Sequence, residues 1–269
     1  MHLLVTEMRR ALHRRLVWVL IGLALVMSMA GGLIAFVDSA GGLNALQLQG
    51  SEPHPAVMRS WWAPDGGDGW LTGGAFFMLI GGMIGGASVA GAEWRWGTVS
   101  TLLTWEPRRT RLLGARLGSA AILAATISFA LQVVSLLLLT PAVLTTGSTA
   151  GTDLEWWLGL VAAMLRISAL TALAAVLGLA IANLGRNTTA ALAVICGWLL
   201  VVEGLIRALR PGWSTYLLSE NLAVGVTGAS LEGDAASPTP LSALATLVVY
   251  AVLPVWASIA IFQRRDLVA

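Results

Sequence analysis

Lysine is absent from this chain of 269 residues, so all 16 basic residues are arginines. A phosphate-binding P-loop and a Schiff-base enzyme both require a lysine amine, and this chain cannot supply one. The single cysteine, Cys196, excludes an intrachain disulfide and any metal site built from several thiolates. We therefore expect no cofactor, no metal and no catalytic site in this chain, and any ATP would be bound by a partner.

Charged residues are also scarce. They make up 11% of the chain and hydrophobic residues make up 57%, whereas an ordinary soluble domain is about 25% charged. This composition excludes a water-soluble globular enzyme. The formal net charge is only +2, and the arginines cluster beside apolar runs, which favours lipid headgroups or an acidic protein surface over nucleic acid as the binding partner.

Six apolar runs reach the roughly 20 residues that a helix needs to cross a bilayer. The predicted fold is an all-α membrane protein, a single transmembrane domain over residues 1–269. The predicted spans are residues 16–37, 71–92, 117–145, 157–182, 189–209 and 241–262. Pro141 lies in the third span, which is longer than a straight crossing requires, so this helix is expected to tilt or to break near its C-terminal end.

Arginines are distributed unequally between the two sides of the predicted membrane. If both termini share one side, that side holds nearly all of them, and the other side has Arg59 and Arg210, with Arg207 near the boundary. The positive-inside rule then places both termini in the cytoplasm and leaves residues 38–70 and 210–240 as extracytoplasmic loops. A signal peptide over residues 1–37 is the alternative, but its apolar stretch exceeds the 7–15 residues of a signal core.

Residues 1–15 predict an interfacial helix. Its apolar residues, such as Leu4 and Met8, fall near one helical face, and Glu7, Arg10 and Arg14 fall on the other. Such a helix lies along the membrane with its arginines toward anionic lipid or an acidic protein. A simple topology anchor is the other interpretation.

Residues 93–116 form the longest loop on the basic side. Gly97 and Thr98 can start a short helix with Thr98 near its N-cap, and Pro107 then forces a turn before a second basic helix. These signals predict a helical elbow that protrudes into the cytoplasm.

This segment resembles the permease subunit of ABC-2-type transporters. The matching residues are Glu93, Gly97, Thr98, Leu102, Leu103, Pro107, Arg108 and Arg109. The N-terminal interfacial helix and the six spans agree with that family, whereas Arg116 stands where its members commonly carry lysine, and the first outer loop is longer. The resemblance implies location in a bacterial-type plasma membrane.

In the family that it resembles, two permease subunits pair with two separately encoded ATP-binding subunits, which hold ATP and magnesium. The chain would then not be an enzyme by itself, and it would export a hydrophobic or amphipathic compound such as a drug, lipid or peptide. The elbow would transmit the movement of the ATPase, and Glu93 would hold it against the interfacial helix. The implied coupling residues are Glu93, Arg95, Gly97, Thr98, Glu106, Pro107, Arg108, Arg109 and Arg111. Membrane topology alone is the other explanation for these arginines.

Charged residues also fall inside the predicted membrane. Arg166 lies about 13 Å into the fourth span, a depth at which a charge is costly unless it is paired or hydrated. Glu203 in the fifth span is its predicted partner, with Arg207 one turn beyond. This intramembrane cluster either contacts substrate in an outer vestibule or forms a structural ion pair between the two spans.

Glycines repeat at four-residue spacing in the second span, at Gly81 and Gly85 and at Gly82 and Gly86. This spacing permits close helix packing. The glycines either line a homodimer seam or pack within one subunit.

The sequence bears on three other functions. An intramembrane protease or a metalloenzyme needs histidine at membrane depth, but His2, His13 and His54 all lie outside the predicted spans. An ion-driven secondary transporter remains an alternative, although no repeated half with interrupted helices is visible. A membrane scaffold or sensor is the third, and an ATPase partner would separate these functions from an ABC mechanism.

Overall fold

The computed structural model describes residues 2–49, 52–62, 69–230 and 237–264. Within these ranges the chain is helical, with no β-strand and one isolated bridge between Val57 and Ser148. The helices are α1 (His2–Leu12), α2 (Arg15–Ala40), α3 (Ala45–Leu48), α4 (Trp70–Arg95), α5 (Thr98–Trp105), α6 (Arg109–Thr145), α7 (Leu154–Gly185), α8 (Thr188–Cys196), α9 (Glu203–Leu209), α10 (Leu218–Thr227) and α11 (Pro240–Arg264). Residues 63–68 and 231–236, in the two longest predicted loops, lie outside the described residues.

Within the described ranges, six helical stretches are long and apolar enough to cross a membrane: α2, α4, α6, α7, the α8–α9 stretch Thr188–Leu209, and α11. The prediction of an all-α chain with six such helices is confirmed, and the protein is a multi-pass membrane protein. Side chains cap two of the spans at their N-termini. Asp153 accepts a hydrogen bond from the Trp156 amide at the start of α7, and Asn187 accepts one from the Thr189 amide at the start of α8, both at 2.8 Å.

Two local features differ from the sequence expectations. The helix α6 continues through Pro141 to Thr145, so of the two expected alternatives, a tilt or a break, the break does not occur. Leu139 and Ala142 on either side of the proline are fully buried, and this packing holds the turn despite the missing amide. The fifth span contains a π-helical segment, Gly197–Val202, which the hydrophobic pattern did not indicate.

The helices α4 and α7 form the closely packed centre of the bundle. Gly86 lies so near the Ala175 carbonyl that an added Cβ would overlap it, and a Cβ on Gly82 would meet the Thr171 carbonyl at 2.8 Å. By contrast, a Cβ on Gly81 would have nothing within 4 Å. The pair Gly82 and Gly86 therefore packs within one subunit, whereas Gly81 faces open space on another side of α4.

This difference predicts opposite effects of the same substitution. Gly86→Ala is expected to destabilise the fold by about 1–3 kcal/mol, because α7 must move away. Gly81→Ala is the matched control and is expected to be neutral or to stabilise by up to about 1 kcal/mol through helix propensity. Thermal unfolding of both variants in one detergent checks the prediction, and equal unfolding midpoints would contradict it.

The two ends of the bundle carry different elements. One end, the basic end, gathers α1, α5, the start of α6, the α7–α8 connection and the end of α11. There Trp94 donates to Asn183 at 3.0 Å, Asn183 donates to Ser258 at 2.9 Å, and the Arg186 guanidinium lies 5.1 Å from the Trp94 ring centre. The opposite end, the α10 end, holds α3, α10 and the 3₁₀ helices Met58–Trp61 and Pro211–Tyr216.

Candidate functional site

A buried carboxylate organises the basic end. Glu93, near the C-terminus of α4, is only 4% exposed and is approached by three arginines. Arg10 of α1 and Arg14 of the α1–α2 junction each place a guanidinium nitrogen 3.3 Å from Glu93 Oε1. Arg116 of α6 forms an ion pair with Oε2 of the same carboxylate. One residue thus joins three segments that lie far apart in the sequence.

A second carboxylate completes what we call the Glu93 cluster: Glu7, Arg10, Arg14, Glu93 and Arg116. Glu7 Oε1 lies 2.8 Å from Arg10 Nη1, and Glu7 Oε2 lies 3.7 Å from Arg116 Nε. Arg14 also donates to the carbonyls of Ser88 and Val89, at 2.7 and 3.0 Å.

Burial sets the energetics of this cluster. Buried charges are tolerated when they are paired and hydrogen-bonded, and removing one partner strands the others. Burial lowers the pKa of Arg14, which lies outside the spans, and the Glu93 carboxylate opposes this shift by favouring the charged guanidinium. The cluster therefore holds α1 against α4 and α6.

The cluster also corrects the expected orientation of α1. The sequence pattern predicted that the face with Glu7, Arg10 and Arg14 meets lipid headgroups or an acidic partner. In the structure this face turns into the bundle, where Glu7 is 4% exposed, while Arg9 and Val5 are exposed. Amphipathic periodicity identified the helix, but it does not distinguish a polar face that meets water from one that meets a buried carboxylate.

The helix α5 follows directly from the α4 end that carries Glu93. Gly97 occupies its N-cap position with φ 65°, a left-handed conformation that favours glycine, and Thr98 is the first residue of the helix. The Thr98 hydroxyl donates to the Glu93 carbonyl at 3.4 Å. Beside this helix lie large exposed side chains, including Trp96 at 76% and Trp105 at 86% exposure. We call Arg95, Trp96, Trp105, Arg108 and Arg111 the α5 surface.

The structure divides the predicted coupling residues into two groups. Six are exposed: Arg95, Gly97, Thr98, Pro107, Arg108 and Arg111. Glu93 is buried and cannot contact a partner directly. Glu106 is only partly exposed and pairs with Arg111 at 3.3 Å.

Arg109 is engaged elsewhere. It donates to the carbonyls of Phe262 and Gln263 at 3.1 and 3.2 Å, and so caps the C-terminal end of α11. The structure thus gives Arg109 a role within the chain, and its predicted contact with a partner stays a prediction. Phe262 and Gln263 lie 153 and 154 positions after Arg109, and no feature of the local sequence indicates this contact.

The intramembrane charges bind the two ends of α10. Glu203 is fully buried, and its carboxylate accepts hydrogen bonds from the amides of Leu218 and Ser219, at 2.7 and 3.1 Å. The Ser219 hydroxyl and the Trp198 indole also donate to it, at 2.5 and 3.0 Å. Glu203 thus satisfies the free amides in the first turn of α10, as an N-cap side chain would.

Arg166 binds the other end of the same helix. It donates to the carbonyls of Val226 and Thr227, at 2.8 and 2.9 Å. An anion at the N-terminus and a cation at the C-terminus both complement the helix dipole. The predicted pairing of Arg166 with Glu203 is therefore wrong, because each charge finds its partners in the backbone of α10.

Arg207 belongs to a separate, exposed ion pair. Its guanidinium lies 2.7 Å from Glu220 and 3.1 Å from the Ser219 hydroxyl. The three predicted members of the intramembrane cluster, Arg166, Glu203 and Arg207, all lie around α10, but they do not bind one another.

The fold and these contacts define a multi-pass helical membrane protein with a buried ion-pair cluster at one end and a charge-clamped short helix at the other. The chain belongs to the family described as a protein of unknown function, DUF2705, whose model matches residues 69–268. The match begins just before α4 and includes Glu93, Arg116, Arg166 and Glu203. A comparison with curated proteins finds no match.

Proposed function

We propose that this chain is the membrane-spanning permease subunit of an ATP-driven ABC transporter and exports a hydrophobic or amphipathic compound. Two copies of a separate ATP-binding subunit would hold ATP and magnesium, and a second copy of this chain would complete the membrane part. The observation that carries the proposal is that the α5 surface is joined directly to α4 and α6, the two helices that the Glu93 cluster ties to α1.

Transmission of force requires a rigid connection between a partner and the spans. The helix α5 joins α4 and α6 through very short linkers, residues 96–97 and 106–108. The Glu93 cluster ties the same two helices to α1. A push on α5 would therefore move α1, α4 and α6 together, as a rigid-body shift requires.

The composition of the α5 surface suits a protein partner. Tryptophan and arginine are enriched at the centres of protein interfaces. Trp96 and Trp105 are exposed beside Arg95 and Arg108. An acidic or polar groove on the ATP-binding subunit would complement this surface.

The proposal places the basic end in the cytoplasm, where ATP is available. The described arginines at this end include Arg9, Arg15, Arg95, Arg108, Arg111 and Arg186. Their number favours a cytoplasmic position by the positive-inside rule. Both termini would then be cytoplasmic, in a bacterial-type plasma membrane, with α1 and α5 forming the proposed interfacial helix and cytoplasmic elbow.

Charge reversal on the α5 surface tests this proposal. We expect the double variant Arg95→Glu, Arg108→Glu to retain at most about one tenth of the ATP-binding subunit that the unmodified chain retains, because like charges oppose docking. The measurement is affinity purification in mild detergent, with mass spectrometry and ATP hydrolysis assayed on the eluate. Arg210→Glu, an exposed arginine at the α10 end, is the matched control.

Two results would contradict the proposal. An unmodified chain that elutes without an ATP-binding subunit would favour a scaffold or an ion-driven carrier. Equal retention of the subunit by the double variant and by Arg210→Glu would remove the α5 surface from the coupling role.

The ion-driven alternative receives less support from the spans. A proton-coupled carrier needs a carboxylate that can change partners during transport. Glu203 accepts four hydrogen bonds from α10 and Trp198, so its carboxylate has a structural role and is not free to change partners.

A further inference from the structure

A large cavity lies between α2, α4 and α6. Its volume is about 860 Å³, within the range of 300–1,000 Å³ typical of ligand sites. The lining runs along α2 from Val17 to Ile34 and along α4 from Trp70 to Val89. Ala11 of α1 lies at one end, and residues 53–55 lie at the other. We call this space the α2–α4 cavity.

The cavity exists because α2 has fully buried residues only near its C-terminal end. The buried residues of α2 are Gly32, Ala35 and Ser39, and none precedes Gly32. A Cβ on Gly32 would meet the Leu138 carbonyl at 2.9 Å, so the backbones are close there. Gly74 and Gly81 of α4 add space, since a Cβ on either would have nothing within 4 Å.

The walls of the cavity are mainly apolar, and four of its polar side chains have partners in the protein. Ser135 accepts a hydrogen bond from the Trp70 indole at 3.0 Å, and Ser128 lies 3.2 Å from the Thr171 hydroxyl. His54 is paired with Asp38 at 3.0 Å. Water needs two to four polar partners to occupy a protein cavity, and an empty apolar space of this size is strongly destabilising. The occupant is therefore apolar.

The length and the opening of the cavity restrict the occupant further. From Val17 to Ile34, α2 rises about 25 Å at 1.5 Å per residue, so the cavity is elongated. Leu23 of α2 and Phe77 and Ile80 of α4 line it and are more than half exposed, so it opens sideways between the two helices. An extended alkyl chain of the surrounding bilayer matches an apolar space with this length and this opening.

We propose that the α2–α4 cavity holds one alkyl chain of a membrane lipid. The chain enters sideways from the bilayer between α2 and α4, where α2 stands away from the bundle. Its headgroup stays at the membrane surface, because none of the residues that line the cavity is Asp, Glu, Lys or Arg. This site needs no ATP-binding subunit, so it stands or fails separately from the proposed transport function.

Photolabelling from within the bilayer tests this assignment. The full chain is placed in nanodiscs of phosphatidylethanolamine and phosphatidylglycerol with a trace of phosphatidylcholine that carries a diazirine on one acyl chain. Leu131 and Val89 line the cavity and are buried, so an acyl chain reaches them through the cavity, whereas Leu200 and Val201 are exposed in the fifth span. After illumination, mass spectrometry is expected to find adducts on both pairs.

Filling the cavity should remove one pair of adducts. In Gly81→Leu we expect adducts on Leu131 and Val89 to fall by about fivefold or more, because the new side chain occupies the space, while adducts on Leu200 and Val201 stay unchanged. Gly204→Leu is the matched control, since a Cβ there also meets nothing within 4 Å and Gly204 lies outside the cavity. Gly74→Leu provides a second blocking variant, and elution volume and helix content verify folding.

Two outcomes would overturn the proposal. One is the absence of adducts on Leu131 and Val89 in the unmodified chain while Leu200 and Val201 are labelled. The other is unchanged labelling of Leu131 and Val89 in folded Gly81→Leu and Gly74→Leu.

Discussion

Glu93→Ala is expected to lower the free energy of unfolding by about 3–5 kcal/mol, because it removes the closest partner of a buried arginine. Arg116 is 2% exposed and forms its closest ion pair with Glu93. Glu7 Oε2 lies 3.7 Å from Arg116 Nε and Glu7 Oε1 binds Arg10, so Arg116 keeps only this longer contact. The variant should also release α1, since Arg10 and Arg14 lose their common acceptor.

Two measurements check this result. Thermal unfolding in detergent reports stability, and limited trypsin digestion reports release of α1 through cleavage after Arg10 and Arg14. Glu106→Ala is the matched control, because the Glu106–Arg111 pair is far more exposed, and such surface pairs contribute at most about 1 kcal/mol. Similar losses in both variants, or protected arginines in Glu93→Ala, would contradict the fastening role of the cluster.

Glu203→Ala is expected to free α10 from the bundle. The change strands the amides of Leu218 and Ser219 and the indole of Trp198, and each unsatisfied buried donor costs about 1–3 kcal/mol. Arg166→Ala should act in the same direction from the other end, because the Val226 and Thr227 carbonyls lose their donor.

Cysteine accessibility measures the release of α10. In a Cys196→Ser background, Val224→Cys places a thiol at a fully buried position of α10. Its reaction rate with a water-soluble maleimide is expected to rise by about tenfold or more when Glu203→Ala is added, in keeping with the lost hydrogen bonds. Arg207→Ala removes only the exposed pair with Glu220 and serves as the control. If Arg207→Ala increases the labelling rate as much as Glu203→Ala, the buried hydrogen bonds of Glu203 are not what holds α10 in place.

Local sequence patterns predicted α1 and α5 as helices, but not which side of α1 faces the bundle. The turn signals at Gly97 and Pro107 predicted a short helix between the second and third spans, and α5 occupies Thr98–Trp105. The pattern in residues 1–15 predicted a helix, and α1 spans His2–Leu12. Both depend on neighbours within a few residues. The side of α1 that faces the bundle depended on Glu93, about 80 residues away.

The glycines of α4 show the same division at closer range. Their spacing indicated close packing, but Gly82 and Gly86 meet α7 whereas Gly81 faces the α2–α4 cavity. Adjacent helix positions differ by about 100° around the axis, so neighbouring glycines serve different surfaces. The assignment of each glycine to a surface required the positions of α2 and α7.

The apolar runs of the sequence determined that the described part of the chain has six helices long and apolar enough to cross a membrane, because a bilayer demands about 20 apolar residues and internal backbone hydrogen bonds for each crossing. The tertiary structure decided the partners of its few charges. Arg166 and Glu203 bind opposite ends of α10, Arg109 caps α11, and Glu93 gathers three arginines. Such pairings depend on distances between atoms of separate helices, and charge and hydropathy along the chain carry no information about those distances.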